Sequence, residues 1–212
     1  MQQLEISPEN QLLLQRLYPT VDWRWVRYYQ PLPWFMRDNF IAAMALPATY
    51  SNKRLDIHFK NCQLDDCYSL ATLVHECYHV FQYQQFQLVT DFGYFRRFMA
   101  YYLGWYVHLW VRNIFKYRFD FQRTAYESYR FHPFEIPAYE MEAKFIDWYK
   151  RQSPDSLNFE HPEFLRIVTK RLSTETRPPI LGLIAGSILS FLIVLVKPTL
   201  ELGRFLYKSA RR

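Results

Sequence analysis

The chain has 212 residues, 50% of them hydrophobic, 19% aromatic and 22% charged, a globular composition that excludes intrinsic disorder as its main state. Its five glycines, Gly93, Gly104, Gly182, Gly186 and Gly203, form neither GxGxxG nor GxxxxGK[ST], so the glycine loops that cradle nucleotide phosphates are excluded. The net charge of +6 is carried entirely by residues 170–212, while residues 1–169 balance 18 basic against 18 acidic side chains; a neutral body speaks against a nucleic-acid-binding face.

In chain order, Ser7-Pro8-Glu9 reads as an N-cap, a proline in the first turn and an early acid, opening a short helix that runs through Leu17 to Pro19. Val21 to Tyr29, rich in β-branched and aromatic residues and closed by Pro31 and Pro33, predicts a strand. A helical-looking stretch follows over Asp38–Met44. From Arg54 to Lys60 the apolar residues Leu55, Ile57 and Phe59 alternate with polar ones, the clearest strand pattern in the chain. Asp65 to Gln87 lacks Gly and Pro and repeats apolar residues at three- and four-residue steps, predicting a helix buried on one side. Residues 98–111 carry no Asp, Glu, Lys or Arg; at 14 residues the run is too short to span a bilayer and is expected to be a buried helix. Further helices are expected after Pro133 through Tyr149 and over Pro162–Leu172.

Ile180 to Val196 contains no charge in 17 residues and is flanked by basic side chains. At ~1.5 Å per residue it covers roughly 25 Å, a short transmembrane helix. Gly182, Gly186 and Ser190 recur four apart, a small-residue face suited to a homodimer of such helices. The expected organisation is a domain over 1–175, a transmembrane anchor over 176–198 and a basic tail over 199–212. The first residues, MQQLEISPEN, lack a basic segment followed by an apolar one, so no cleavable signal peptide is expected and the domain is placed on the cytoplasmic side of its membrane. Cys62, Cys67 and Cys77 are too few for a disulfide framework and are expected as thiols, Cys77 as a small core residue.

The chemistry lies in His75-Glu76-Cys77-Tyr78-His79, an HExxH sequence within the predicted helix. Histidines at i and i+4 project from one helix face, so both imidazoles can reach one Zn²⁺, and Glu76 between them can act as general base on water activated by the metal. A catalytic zinc wants three protein ligands and an open position. Glu135, at the start of the helix behind Pro133, is the best third candidate, with Glu140 in reserve. Tyr126, Tyr129 and His132 are candidates for stabilising an oxyanion, although packing is the commoner role of such residues.

HECYHVFQYQQ with the later PFEIPAYEME resembles the gluzincin zinc metallopeptidases, particularly bacterial groups with an HExxHxxQ helix, and the resemblance covers roughly residues 20–145. It implies an α+β, zincin-like fold, mostly helical with a small sheet, and makes His75, His79 and Glu135 zinc ligands and Glu76 the general base. The sequence departs from the pattern at His132, where the family has Asn, and at Pro137, where it has an acid. The position four residues after Glu135, which in thermolysin-like relatives carries an acid that orients a zinc histidine, is Tyr139, whose hydroxyl would take that part.

A di-iron bundle would need a second ExxH, and a serine hydrolase a GxSxG elbow; neither occurs. The sequence therefore predicts a membrane-anchored zinc peptidase. An extended peptide substrate would add to a sheet edge near Leu55–Phe59. The principal alternative is a catalytically silent binding or assembly module of the same fold at the membrane.

Overall fold

The computed structural model describes residues 2–33, 42–47, 54–61, 64, 66–87, 94–151 and 179–189. The chain divides into two compact units, Met1–Asp91 with Phe134–Ser173 and Phe92–Pro133 with Thr174–Arg212. Residues 92–133 thus group with the C-terminal residues rather than with the remainder of 1–175.

The first unit is α+β. Its four-stranded sheet has the order β1 (Gln2–Leu4), β2 (Val26–Gln30), β4 (Leu55–Phe59), β3 (Ala43–Pro47). β1 runs antiparallel to β2, β2 parallel to β4 and β3 antiparallel to β4, with Ala45 opposite Ile57. The alternation read over Arg54–Lys60 is β4, and its Leu55, Ile57 and Phe59 are buried. β4 is an inner strand, however, so the sheet edge beside it is β3. The predicted helix over Asp38–Met44 fails at its described end, because Met44 pairs with His58 in β3; residues 38–41 lie outside the described residues. The strand predicted from Val21 starts late, since Asp22 accepts from the Arg24 amide and caps a 3-10 turn over Trp23–Trp25 before β2 begins.

Helix α1 (Pro8–Leu17) is capped by Ser7, whose side chain accepts from the Asn10 amide at 3.2 Å, and it buries Leu13, Leu14 and Leu17. Helix α2 (Cys67–Gln87) starts where Asp66 accepts from the amides of Tyr68 and Ser69, filling donors that a helix start leaves open. Its Leu73, Val74, Cys77 and Val80 are wholly buried. The Tyr18 hydroxyl donates to the Val74 carbonyl at 2.7 Å, and the Gln84 side chain bonds both the amide and the carbonyl of Asp22. Helix α5 (Glu135–Arg151) packs along α2 with Ala138, Met141 and Phe145 fully buried. Cys67 and Cys77 are free thiols, and burial pushes the Cys77 thiol well up, as for an inert core residue. Cys62 lies outside the described residues.

The second unit contains α3 (Tyr94–Lys116), α4 (Phe121–Arg130, capped by Asp120) and a helix over residues 180–189, here α6. Asn113 of α3 donates to the Ser128 hydroxyl of α4 at 3.1 Å. The expectation that 98–111 is buried is met only in part: Phe98, Ala100, Gly104 and Leu109 are buried and the rest of the run is partly or fully exposed. The first part of the predicted transmembrane segment is helical; residues 190–196, Ser190 among them, and the helix expected over Pro162–Leu172 lie outside the described residues. Among the described residues no helix is long and apolar enough to cross a membrane.

Candidate metal centre

One face of α2 and the first residue of α5 build the site. His75 and His79, one helical turn apart, point toward α5 and are 4% and 7% exposed, and Glu135 meets them at 1%. His75 Nε2 stands 3.2 Å from Glu135 Oε2 and 3.3 Å from His79 Nε2, and His79 Nε2 stands 3.3 Å from Glu135 Oε2. These three atoms form a nearly equilateral triangle. A tetrahedral site with ligands about 2.0–2.1 Å from the ion has edges of about 3.3–3.4 Å, so the triangle has the size of one tetrahedral face.

The outer nitrogens fix what the inner ones present. Gln82 donates through Nε2 to the Phe134 carbonyl at 2.8 Å, which turns its Oε1 toward His79 Nδ1 at 2.8 Å. An amide oxygen only accepts, so His79 carries its proton on Nδ1 and leaves a lone pair on Nε2. Glu142 Oε2 lies 3.0 Å from His75 Nδ1 and imposes the same tautomer on that ring when the imidazole is neutral. Two imidazole lone pairs and a carboxylate oxygen then converge on one point in a buried space. Such a set repels itself unless a cation or protons occupy the centre. His75, His79 and Glu135 could therefore hold a metal ion.

Without a metal, protons take that place. Burial works against a charged His75, but Glu135 and Glu142 outweigh it and raise its pKa to about 10. His79 is raised for the same reason, burial opposing and Glu135 prevailing. Glu135 is held well below the usual carboxylate range, because the two imidazoliums overcome the cost of its burial. Its place in the first turn of α5, at the positive end of the helix dipole, favours the anion further.

Glu76 lies on the same helix, 3% exposed. Burial raises its pKa against the pull of His75 and His79, and the Ala45 amide of β3 donates to its carboxylate. Its Oε2 is buried without a hydrogen-bond partner among the described residues. The site thus sets a buried carboxylate with a raised pKa beside the His75, His79 and Glu135 triangle and next to the edge strand of the sheet.

Glu140, the reserve ligand, is exposed and pairs with Lys144 at 3.4 Å, outside the triangle. Tyr139 does not take the expected place at His75 Nδ1. Its ring packs edge-on against the His75 ring, centroids 4.7 Å apart, and the orienting bond comes from Glu142, seven residues beyond Glu135 instead of four. Two turns of helix bring Glu142 back to the face of Glu135, a spacing that sequence inspection passed over. Tyr126, Tyr129 and His132 belong to the second unit. His132 is fully buried, its Nε2 2.8 Å from the Tyr102 carbonyl and its ring against the Tyr102 ring, while Tyr126 is exposed and accepts from Arg130. No protein-family model, curated protein or solved structure matches the chain.

Proposed function

We propose that the protein is a membrane-anchored zinc peptidase with His75, His79 and Glu135 as ligands and Glu76 as general base. The observation that carries this reading is the 3.2–3.3 Å triangle of two Nε2 atoms and one carboxylate oxygen, with the buried Glu76 next to His75 on the same helix. A His₂Glu set is borderline in softness and leaves a fourth tetrahedral position open, which suits Zn²⁺ better than the hard all-oxygen cations. Zinc bound there supplies Lewis acidity toward a carbonyl and lowers the pKa of water.

The chain's own residues supply the rest. Glu142 and Gln82 hold the imidazoles in the ligating tautomer. Glu76, its pKa raised by burial, accepts a proton from the attacking water and returns it to the leaving amine. The Ala45 amide fixes that carboxylate beside β3, so a peptide lying along the edge strand would pass the base. That reading moves peptide docking from the Leu55–Phe59 strand to Ala43–Pro47. Attachment to the bilayer rests on the uncharged run Ile180–Val196 and its basic flanks.

The test is metal analysis of the full chain beside His79→Ala and Glu135→Ala, followed by cleavage of a peptide library with wild type and Glu76→Gln. One zinc per chain, lost in both ligand variants, and cleavage lost in a Glu76→Gln protein that keeps its zinc are the expected results. A zinc-loaded wild type that cleaves nothing would replace the peptidase with a silent binding or assembly module.

A further inference from the structure

Helix α6 is built inside out. Its buried positions are Gly182 and Gly186, while Leu181 is 82% exposed, Ile180 74%, Ile188 56% and Ile184 52%. A helix folding against a core in water does the reverse, burying its large aliphatic residues. The glycines are buried because α3 of the same unit comes into backbone contact there. A methyl group on Gly182 would lie 2.6 Å from the Gly104 carbonyl oxygen, and one on Gly186 would collide with the Ala100 carbonyl and lie 2.5 Å from the Gly104 amide nitrogen. As α6 advances from 182 to 186, its contacts move from Gly104 and His108 back to Ala100 and Gly104, so the helices run antiparallel. Small residues inside and large apolar ones outside is the packing of helices whose solvent is lipid, where close backbone approach replaces hydrophobic burial.

The rest of the second unit fits that solvent. The run 98–111 of α3 is uncharged, yet Leu103, Trp105, Tyr106, Val107 and Trp110 stay partly exposed. The turn from α3 to α4 exposes Phe115, Phe119 and Phe121 among Lys116, Arg118 and Arg123, the aromatic and cationic mixture of a headgroup layer. The sequence after α6 stays uncharged to Val196, then turns basic, which suits anionic lipid rather than a second protein surface. Connectivity fixes how α3 is embedded. Residues 1–91 and 134–173 form one unit, so 92–133 must leave and return on one side, and α4 with its 10 residues covers only about 15 Å, half a hydrocarbon core.

We propose that α3 is itself lipid-embedded, entering one leaflet without crossing it and packing against the C-terminal helix through Gly104, Gly182 and Gly186. This rests on the bilayer attachment in the proposed function and not on the metal. It also gives the small-residue face an intramolecular occupant in place of the homodimer contact expected from sequence.

The test uses the full chain in vesicles of phosphatidylcholine and phosphatidylglycerol containing an acyl-chain carbene photolabel, with trypsin digestion and mass spectrometry. Cleavage after Arg97 and Arg112 isolates residues 98–112. Label on this peptide comparable to that on the peptide containing Ile180–Val196 is expected, with Ala100 and Gly104 spared in wild type and labelled in Gly186→Ile, which forces the helices apart. Label confined to the C-terminal peptide would overturn the proposal while leaving the anchor intact. Label on neither would overturn both. A cross-linked dimer with 98–112 protected would assign the face to a second copy and likewise overturn it. Zinc content and cleavage do not enter the readout, so loss of the peptidase reading would leave this result standing.

Discussion

Gln82 ties His79 to the start of α5: its oxygen faces His79 Nδ1 at 2.8 Å while its nitrogen donates to the carbonyl of Phe134, the residue before Glu135. One buried amide thereby sets the tautomer of one candidate ligand and the position of another. Replacing Gln82 with Leu keeps the volume and removes both bonds. Metal affinity is expected to fall by about 10–100-fold, the usual loss for such an outer partner. The stability of the metal-free protein should fall by about 2 kcal/mol, roughly 1 kcal/mol for each of the two buried hydrogen bonds lost. Competition against a chromophoric chelator and denaturant unfolding in excess chelator measure the two effects separately.

Glu142 plays the matching part for His75, and its neighbours provide controls. Glu142→Gln is expected to lower metal affinity by about 10–100-fold, since an amide oxygen still accepts but no longer carries the charge that strengthens the imidazole as a donor. Glu140→Gln, on the exposed side of α5 with Lys144, should leave affinity unchanged. Tyr139→Phe keeps the ring that packs on His75 and should do the same. Equal losses in all three variants would mean that α5, rather than a particular carboxylate, governs the site.

The contrast between Tyr139 and Glu142 marks how far the sequence could be read. HExxH on an unbroken helical period placed His75, Glu76 and His79 together, because adjacency on a helix follows from spacing alone. Glu135 was found through its position behind Pro133 in a second helix start. The orienting acid was missed because the resemblance supplied an offset of four residues, whereas the orientation of α5 against α2 decides which turn of α5 reaches His75. β3 was hidden for a similar reason. Ala43–Pro47 has no alternation of its own and is a strand because β4 pairs with it. In the second unit the 14 uncharged residues of α3 were legible, but the backbone contact at Gly104 depends on residues some 80 positions away.

The α2 and α5 pairing that carries the site is held by apolar packing, and Phe145 is a sensitive point. It is fully buried and its ring lies tilted against those of Trp148 and Tyr149, centroids 5.7 and 5.9 Å away. Phe145→Ala is expected to cost about 3–5 kcal/mol, from lost transfer energy and the cavity left behind. Because α5 also presents Glu135 and Glu142, metal affinity should fall with stability in this variant. In Gln82→Leu, by contrast, affinity should fall for a smaller loss of stability than in Phe145→Ala. Chelator titrations on both proteins, set beside their unfolding midpoints, distinguish a loosened helix pair from a mis-set imidazole.

Metal uptake at this site must displace protons. In the metal-free protein the carboxylates of Glu135 and Glu142 prevail over burial and raise His75 to about 10, so at pH 7 its ring is an imidazolium. A metal needs the Nε2 lone pair, so binding at pH 7 should release at least one proton. Calorimetric binding heats at that pH, measured in buffers of different ionisation enthalpy, should vary with a slope near or above one proton per ion; zero slope would mean that the metal binds elsewhere. The same shift sets the pH dependence of the metal-free fold. A histidine whose folded pKa lies above its unfolded value of about 6.5 adds stability that is full below that pH and is lost as pH rises toward 10. Metal-free protein should therefore unfold more readily in denaturant as pH climbs from 6.5 to 10. Metal-loaded protein should lack this His75 contribution, because the cation already occupies the centre that the proton vacates, and His75→Gln should lessen the slope of the metal-free form, the remainder coming from His79, which Glu135 also raises.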